Sequence, residues 1–75
     1  PVKVYCGDWS GLEGDASGTV TLGGARVYLC FFQNQDADNP NEFVQSDISV
    51  SGSTITVTVH NHMAVTNGRF IIIYS

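Results

Sequence analysis

Residues 43–75, FVQSDISVSGSTITVTVHNHMAVTNGRFIIIYS, decide the fold class. Apolar and polar side chains alternate through Thr54-Ile55-Thr56-Val57-Thr58-Val59, the period of two that marks a half-buried strand. Ser51-Gly52 and Asn67-Gly68 stand where two-residue hairpin turns belong. Together these predict a three-stranded antiparallel meander over about 43–50, 53–66 and 69–75. The turns set registers: Val50 opposite Ser53, Ile48 opposite Ile55, Val44 opposite Val59, then Val65 opposite Phe70 and Met63 opposite Ile72. One face then collects Val44, Ile48, Val50, Ile55, Val57, Val59, Met63, Val65, Phe70, Ile72 and Tyr74, the expected core face. The other face is polar apart from Phe43, Ala64, Ile71 and Ile73. A middle strand of this length would span roughly 46 Å, far beyond the usual strand. A bulge or bend is therefore expected near His60 to Met63, dividing its halves between two sheets.

Working outward, Val2, Val4 and Cys6 alternate with Lys3 and Tyr5 in a first strand that ends at Gly7. Residues 8–18 hold three glycines, two acids after Asp8 and the lone Trp9, and read as a loop. A short strand over 19–22 leads into Gly23-Gly24, read as another hairpin turn, and then into 25–32. That last segment is apolar on both faces, so a central position is expected. Residues 33–41, QNQDADNPN, read as a surface connection. No helical period appears. The chain is thus expected to be a single domain over 1–75, all-β, a small antiparallel sandwich or barrel of about 5–6 strands.

Composition supports this class and excludes others. The 75 residues are 43% hydrophobic and 13% charged, and they are rich in Thr, Ser, Val, Ile and Gly, as strands joined by tight turns require. Lys3, Arg26 and Arg69 stand against seven acids, for a net charge of -4, which argues against nucleic acid as a partner. No apolar run approaches the 18 or more residues of a transmembrane helix, so membrane insertion is not expected. A chain this short buries only about 60% of its unfolded surface, and a crosslink or partner chain would help it. Cys6 and Cys30 could supply a disulfide closing a loop of about 24 residues, worth roughly 3 kcal/mol in the chain-entropy picture. The alternative is two reduced thiols acting as small apolar side chains.

Three groups of residues carry candidate chemistry. His60 and His62, two apart on a strand, put both imidazoles on one side, within reach of one metal ion. Two ligands are too few for a zinc centre, but a trimer would bring six. The His60-Asn61-His62 triplet is similar in spacing to the His-x-His pair at the tips of phage membrane-piercing spikes. Beyond this pair no cofactor is expected, and two surface histidines are the simpler reading. Asp36, Asp38, Asn39, Asn41 and Glu42 offer oxygen ligands, but Pro40 and the missing glycine break the EF-hand pattern, leaving a solvated acidic loop. Trp9, with Tyr5 and Asp8, suits a sugar-stacking site of a small lectin, against the alternative of a Trp plugging the core.

No Gly-x-Ser-x-Gly elbow, phosphate loop or paired carboxylates can be placed, so an enzyme is not expected. The apolar C-terminal run puts Ile71 and Ile73 on the polar face of the meander, and no Pro or Lys guards that edge. A neighbouring sheet or subunit is expected to cover them. The leading expectation is a structural or interaction β-module in a homo-oligomer or with other assembly proteins, such as a phage tail-tip, fibre or decoration protein. A virion or extracellular setting follows from it. The alternatives are a carbohydrate-binding module that takes glycans at Trp9 and Tyr5, and a metal-stabilised oligomer through His60 and His62.

Overall fold

The computed structural model describes residues 1–10, 17–39, 44–60 and 67–75, with Ser10, Ser17 and His60 described by their backbone. Six strands run in the order β1 (Lys3–Ser10), β2 (Ser17–Gly23), β3 (Val27–Asn34), β4 (Gln45–Ser51), β5 (Thr54–His60) and β6 (Asn67–Tyr74). They form two antiparallel three-stranded sheets, β1-β6-β3 and β2-β5-β4. The chain is all-β, as its alternation requires, and its two sheets pack as a small sandwich.

Alternation along each strand sends one row of side chains inward. Ile55 and Val57 of β5 and Ile72 of β6 are fully buried, and Val59, Phe32 and Trp9 complete the buried set. Val20, Leu22, Val27, Cys30, Val44, Phe70 and Tyr74 pack around them. Most of the expected core face is therefore interior, but it comes from both layers: Ile55, Val57 and Val59 from one sheet meet Phe70, Ile72 and Tyr74 from the other. Ile48 and Val50, on the edge strand β4, stay 46% and 45% exposed at the rim of that interior. Met63 and Val65 lie outside the described residues.

The meander is corrected in two ways. β4 and β5 do form a hairpin, but its register pairs Val50 with Ile55 and Ile48 with Val57. The turn is Gly52-Ser53, with Gly52 at φ 61°, the positive value that a type II′ turn needs at its first central residue. Placing the turn at Ser51-Gly52 would have put a positive φ on a serine. The two-residue slip preserves the face of every side chain, so the core reading survives it.

The third strand of the meander leaves the sheet. Asn67 and Gly68 are not a turn but the first residues of β6, paired to Ser10 and Trp9. β5 ends at His60 and the chain resumes in the opposite sheet at Asn67, in keeping with a division near His60. The residues on which the bulge itself was expected lie outside those described. β6 is central, between β1 and β3, whereas the sequence read it as a terminal edge. β3, read as central, is an edge strand with a register shift between Val27 and Leu29, the kind of irregularity that blunts an edge against further pairing.

Gly23-Gly24 is also not a hairpin, because β2 and β3 belong to different sheets and neither glycine has a positive φ. Gly24 matters for space. A Cβ there would stand 2.9 Å from Ser75 O and 3.0 Å from Ile55 Cδ1. The crossing is held by Gly24 N donating to Ser53 O at 2.8 Å, and by Ala25 N and Arg26 N donating to Ser75 O at 2.7 and 3.0 Å.

Candidate functional site

The outward faces of the two sheets have opposite chemistry. Across β2-β5-β4 the outward rows read Thr19-Thr58-Asp47, Thr21-Thr56-Ser49 and Gly23-Thr54-Ser51, a surface of hydroxyls. Across β1-β6-β3 they read Val4-Ile73-Leu29, Cys6-Ile71-Phe31 and Asp8-Arg69-Gln33. The first two rows are apolar throughout. Val4, Leu29 and Phe31 are 61%, 47% and 55% exposed, while Ile71 and Ile73, shielded by their neighbours on the central strand, are half-buried. Arg69 Nε meets Asp8 Oδ1 at 3.0 Å, and this pair ends the apolar rows with a locally neutral charge.

The sequence thus placed Ile71 and Ile73 on the right face for the wrong reason. They face outward from a central strand, and the most exposed apolar groups beside them are Val4, Leu29 and Phe31. Those three were missed. The signal for Leu29 and Phe31 was the double-faced apolar pattern of 25–32, which was read as a strand covered on both sides; for Val4 it was the alternation with Cys6 along β1.

Tyr5, Asp8 and Trp9 do come together, at a cleft of about 450 Å³ between β1 and β2 that Val20, Val59 and Phe70 also line. Trp9 is buried there, at 9% exposure. A sugar platform needs an open ring face, so Trp9 is placed as a core plug. Its ring is seated over Gly68, where an added Cβ would stand 2.7 Å from Trp9 Cζ2. Its Nε1 is buried without a hydrogen-bond partner among the described residues.

Cys6 and Cys30 are both free, and the disulfide is corrected by register. Cys6 pairs with Ile71 and Cys30 with Ile72, on opposite edges of the same sheet. Two strand spacings put them roughly 10 Å apart, and their side chains point to opposite faces, beyond any bridging geometry. Cys30 turns inward beside Ser46, Sγ to Oγ 3.9 Å. Burial pushes its thiol pKa up, against a smaller lowering by that contact.

Asp36 to Asn39 of the acidic segment form a hydrogen-bonded turn, while Asn41 and Glu42 lie outside the described residues. Asp36 is buried, and its carboxylate accepts from Asp38 N at 2.9 Å and from Asn39 Nδ2 at 3.3 Å. Asn34 accepts from Asp36 N at 2.8 Å and donates to Asn39 O at 2.7 Å. These side chains close a turn on themselves, as Asx residues do. Among the described residues no group of three or more His, Cys, Asp or Glu could hold a metal ion. His60 ends β5 opposite Ser17 and Gln45, and His62 lies outside the described residues.

No protein family matches this chain, and no curated protein or solved structure matches it. The functional reading rests on its surfaces.

Proposed function

We propose that this chain is a non-enzymatic structural β-module that assembles with copies of itself through the outward face of β1-β6-β3. The observation that carries this reading is the pair of apolar rows Val4-Ile73-Leu29 and Cys6-Ile71-Phe31, with three members about half exposed or more. The largest contiguous apolar patch of a small domain is often an interaction surface. Charge favours a second copy over a charged partner. The chain carries -4 overall, yet the charged groups of this face, Asp8 and Arg69, are paired with each other. Two such faces meet without like-charge repulsion, in an isologous contact.

Size sets the strength. Three strands of eight residues cover roughly 14 by 26 Å, or about 370 Å² per partner. That is below the roughly 800 Å² per partner of a standard interface, so an isolated pair is weak and a larger assembly gains from repeated contacts. A small virion component, such as a fibre or decoration subunit, has this economy of size.

Sedimentation equilibrium across a concentration series tests the reading. The mass is expected to rise with concentration, and Phe31→Glu or Leu29→Glu should abolish the rise without lowering the melting temperature. Thr21→Glu, on the hydroxyl face, should leave it intact. A single-chain mass at millimolar concentration, or the same effect from Phe31→Glu and Thr21→Glu, overturns it. A loss of assembly on adding chelator would instead support metal held by His60 and His62.

A further inference from the structure

The edges of the two sheets are guarded unequally. β3 is interrupted by its register shift between Val27 and Leu29, and β1 carries Lys3 at its start and Asp8 near its end. On β2 the inward side chains Val20 and Leu22 are packed against the core. β4 has none of these protections. Its register against β5 is unbroken from Gln45 to Ser51, and it holds no Pro, no Lys and a single charge, Asp47, so it lacks the features that keep an edge from pairing.

Register fixes which groups β4 leaves open. A two-residue hairpin closes on a hydrogen-bonded pair, here Ser51 and Thr54, and such pairs alternate along the ladder. Ser51, Ser49 and Asp47 therefore turn their amides and carbonyls to β5, while Val50, Ile48 and Ser46 turn theirs to the free edge. The side chains of those last three point to the interior side. The opposite sheet covers this row at Ser46, where Cys30 Sγ stands 3.9 Å from the hydroxyl oxygen, and leaves Ile48 and Val50 nearly half exposed. The open ladder and the uncovered apolar side chains thus fall on the same two residues.

A second copy of the chain fits this edge. In an antiparallel pair of β4 strands centred on Ser49, Ile48 of each copy stands opposite Val50 of the other, and about four ladder hydrogen bonds form. The two Asp47 carboxylates then lie roughly 14 Å apart along the strands, beyond the screening length of about 8 Å at physiological salt. So short a ladder is weak alone. The assembly face, at about 370 Å² per partner, also needs further contacts. Its two-fold axis can run along the strands, which stacks Arg69 on Arg69 of the partner subunit, or across them, which sends the two Asp8–Arg69 pairs to opposite ends. The second arrangement avoids the like charges. It also puts both β4 edges on one side of the face pair, because β4 lies against β3 in each copy. Two face pairs then meet through two edge ladders at once, each raising the effective concentration of the other.

We propose that β4 pairs antiparallel with β4 of a second copy, centred on Ser49, and that this edge, resting on the face contact proposed above, closes two face pairs into a set of four chains. Sedimentation equilibrium of the wild type is expected to plateau at four chains. Ile48→Lys keeps every backbone bond of the hairpin and can carry its ammonium to water at the rim, but sets a charge on the paired edge; it should stop at two chains. Phe31→Glu should remain single. Ser49→Cys, combined with Cys6→Ala and Cys30→Ala, tests the register separately. The two copies of that position face each other as a non-hydrogen-bonded pair, about 4.5 Å between Cα atoms, within disulfide range. Oxidised glutathione should crosslink it about tenfold faster than Thr21→Cys in the same background. A wild-type plateau at two chains, an Ile48→Lys chain that still reaches four, or equal crosslinking of the two cysteine variants overturns the proposal. If Phe31→Glu still forms pairs and adding Ile48→Lys abolishes them, the edge ladder stands and the face reading fails.

Discussion

The indole of Trp9 is seated on Gly68, its partner across the β1-β6 ladder. A side chain at 68 would collide with Gln33 O and stand 2.7 and 2.8 Å from Trp9 Cζ2 and Cε2. Glycine here serves close packing within a strand, not turn geometry. Gly68→Ala should therefore cost about 2–4 kcal/mol, the upper range for overpacking a core. Trp9→Phe should cost less, because the volume it loses is partly offset by removing a buried Nε1 donor that has no partner among the described residues. Urea melts of the two variants give the order, and the reverse order would remove the close seat as the reason for the glycine.

Neighbours in β6 should differ sharply. Ile72 is fully buried between the sheets, and Ile71 faces outward. Ile72→Ala should cost roughly 2–5 kcal/mol, a large share of the total of about 4–11 kcal/mol expected of a chain this size. Ile71→Ala should cost under half as much in dilute monomer. Thermal melts at low concentration measure both, and equal losses would contradict the assignment of inner and outer faces.

Gly52, at φ 61°, should resist L-amino acids. Gly52→Ala is expected to lose about 1 kcal/mol by strain at a left-handed position. D-alanine at the same place, in a chemically synthesised chain, should be neutral or mildly stabilising. If the L and D substitutions prove equal, the II′ turn is wrong.

The two thiols should react differently. Cys6 is exposed and Cys30 half-buried, so native-state alkylation followed by mass mapping should modify Cys6 first. Burial raises the folded pKa of Cys30, while in the unfolded chain this thiol ionises near its ordinary value of about 8.5. The stabilisation is therefore intact below that value and lost as pH rises through it toward the folded value. Between pH 7 and 9.5 the wild type should lose stability faster than Cys30→Ala. Parallel slopes would show that Cys30 is no more buried than its unfolded counterpart.

Register and alternation explain which parts of this architecture were legible in advance. Ile55, Val57, Val59 and Ile72 were placed inside correctly although the turn after β4 was misplaced by one residue, because a two-residue slip leaves every side chain on its face. Tyr5 and Trp9 share the inward side of β1, a strand that the sequence ended at Gly7, while Asp8 between them faces outward with Arg69. The burial of Trp9 was not legible, since only the position of Gly68 across the ladder decides whether that ring is covered.

The chain by itself determined most of the strands, the faces of the β4-β5 and β6 segments and the absence of helical pattern, all consequences of local alternation, although residues 8–10 and 17–18, read as loop, continue β1 and begin β2. Tertiary structure decided which strands are neighbours. A row such as Phe70, Ile72 and Tyr74 buries equally well beside β5 in one sheet or across from it in another, because burial is non-directional and roughly proportional to area. Only the hydrogen-bond ladders of β1 and β3 on either side of β6 distinguish the two. They made β6 central, turned Cys6 away from Cys30, left Val4, Leu29 and Phe31 facing water, and opened the cleft beside Tyr5.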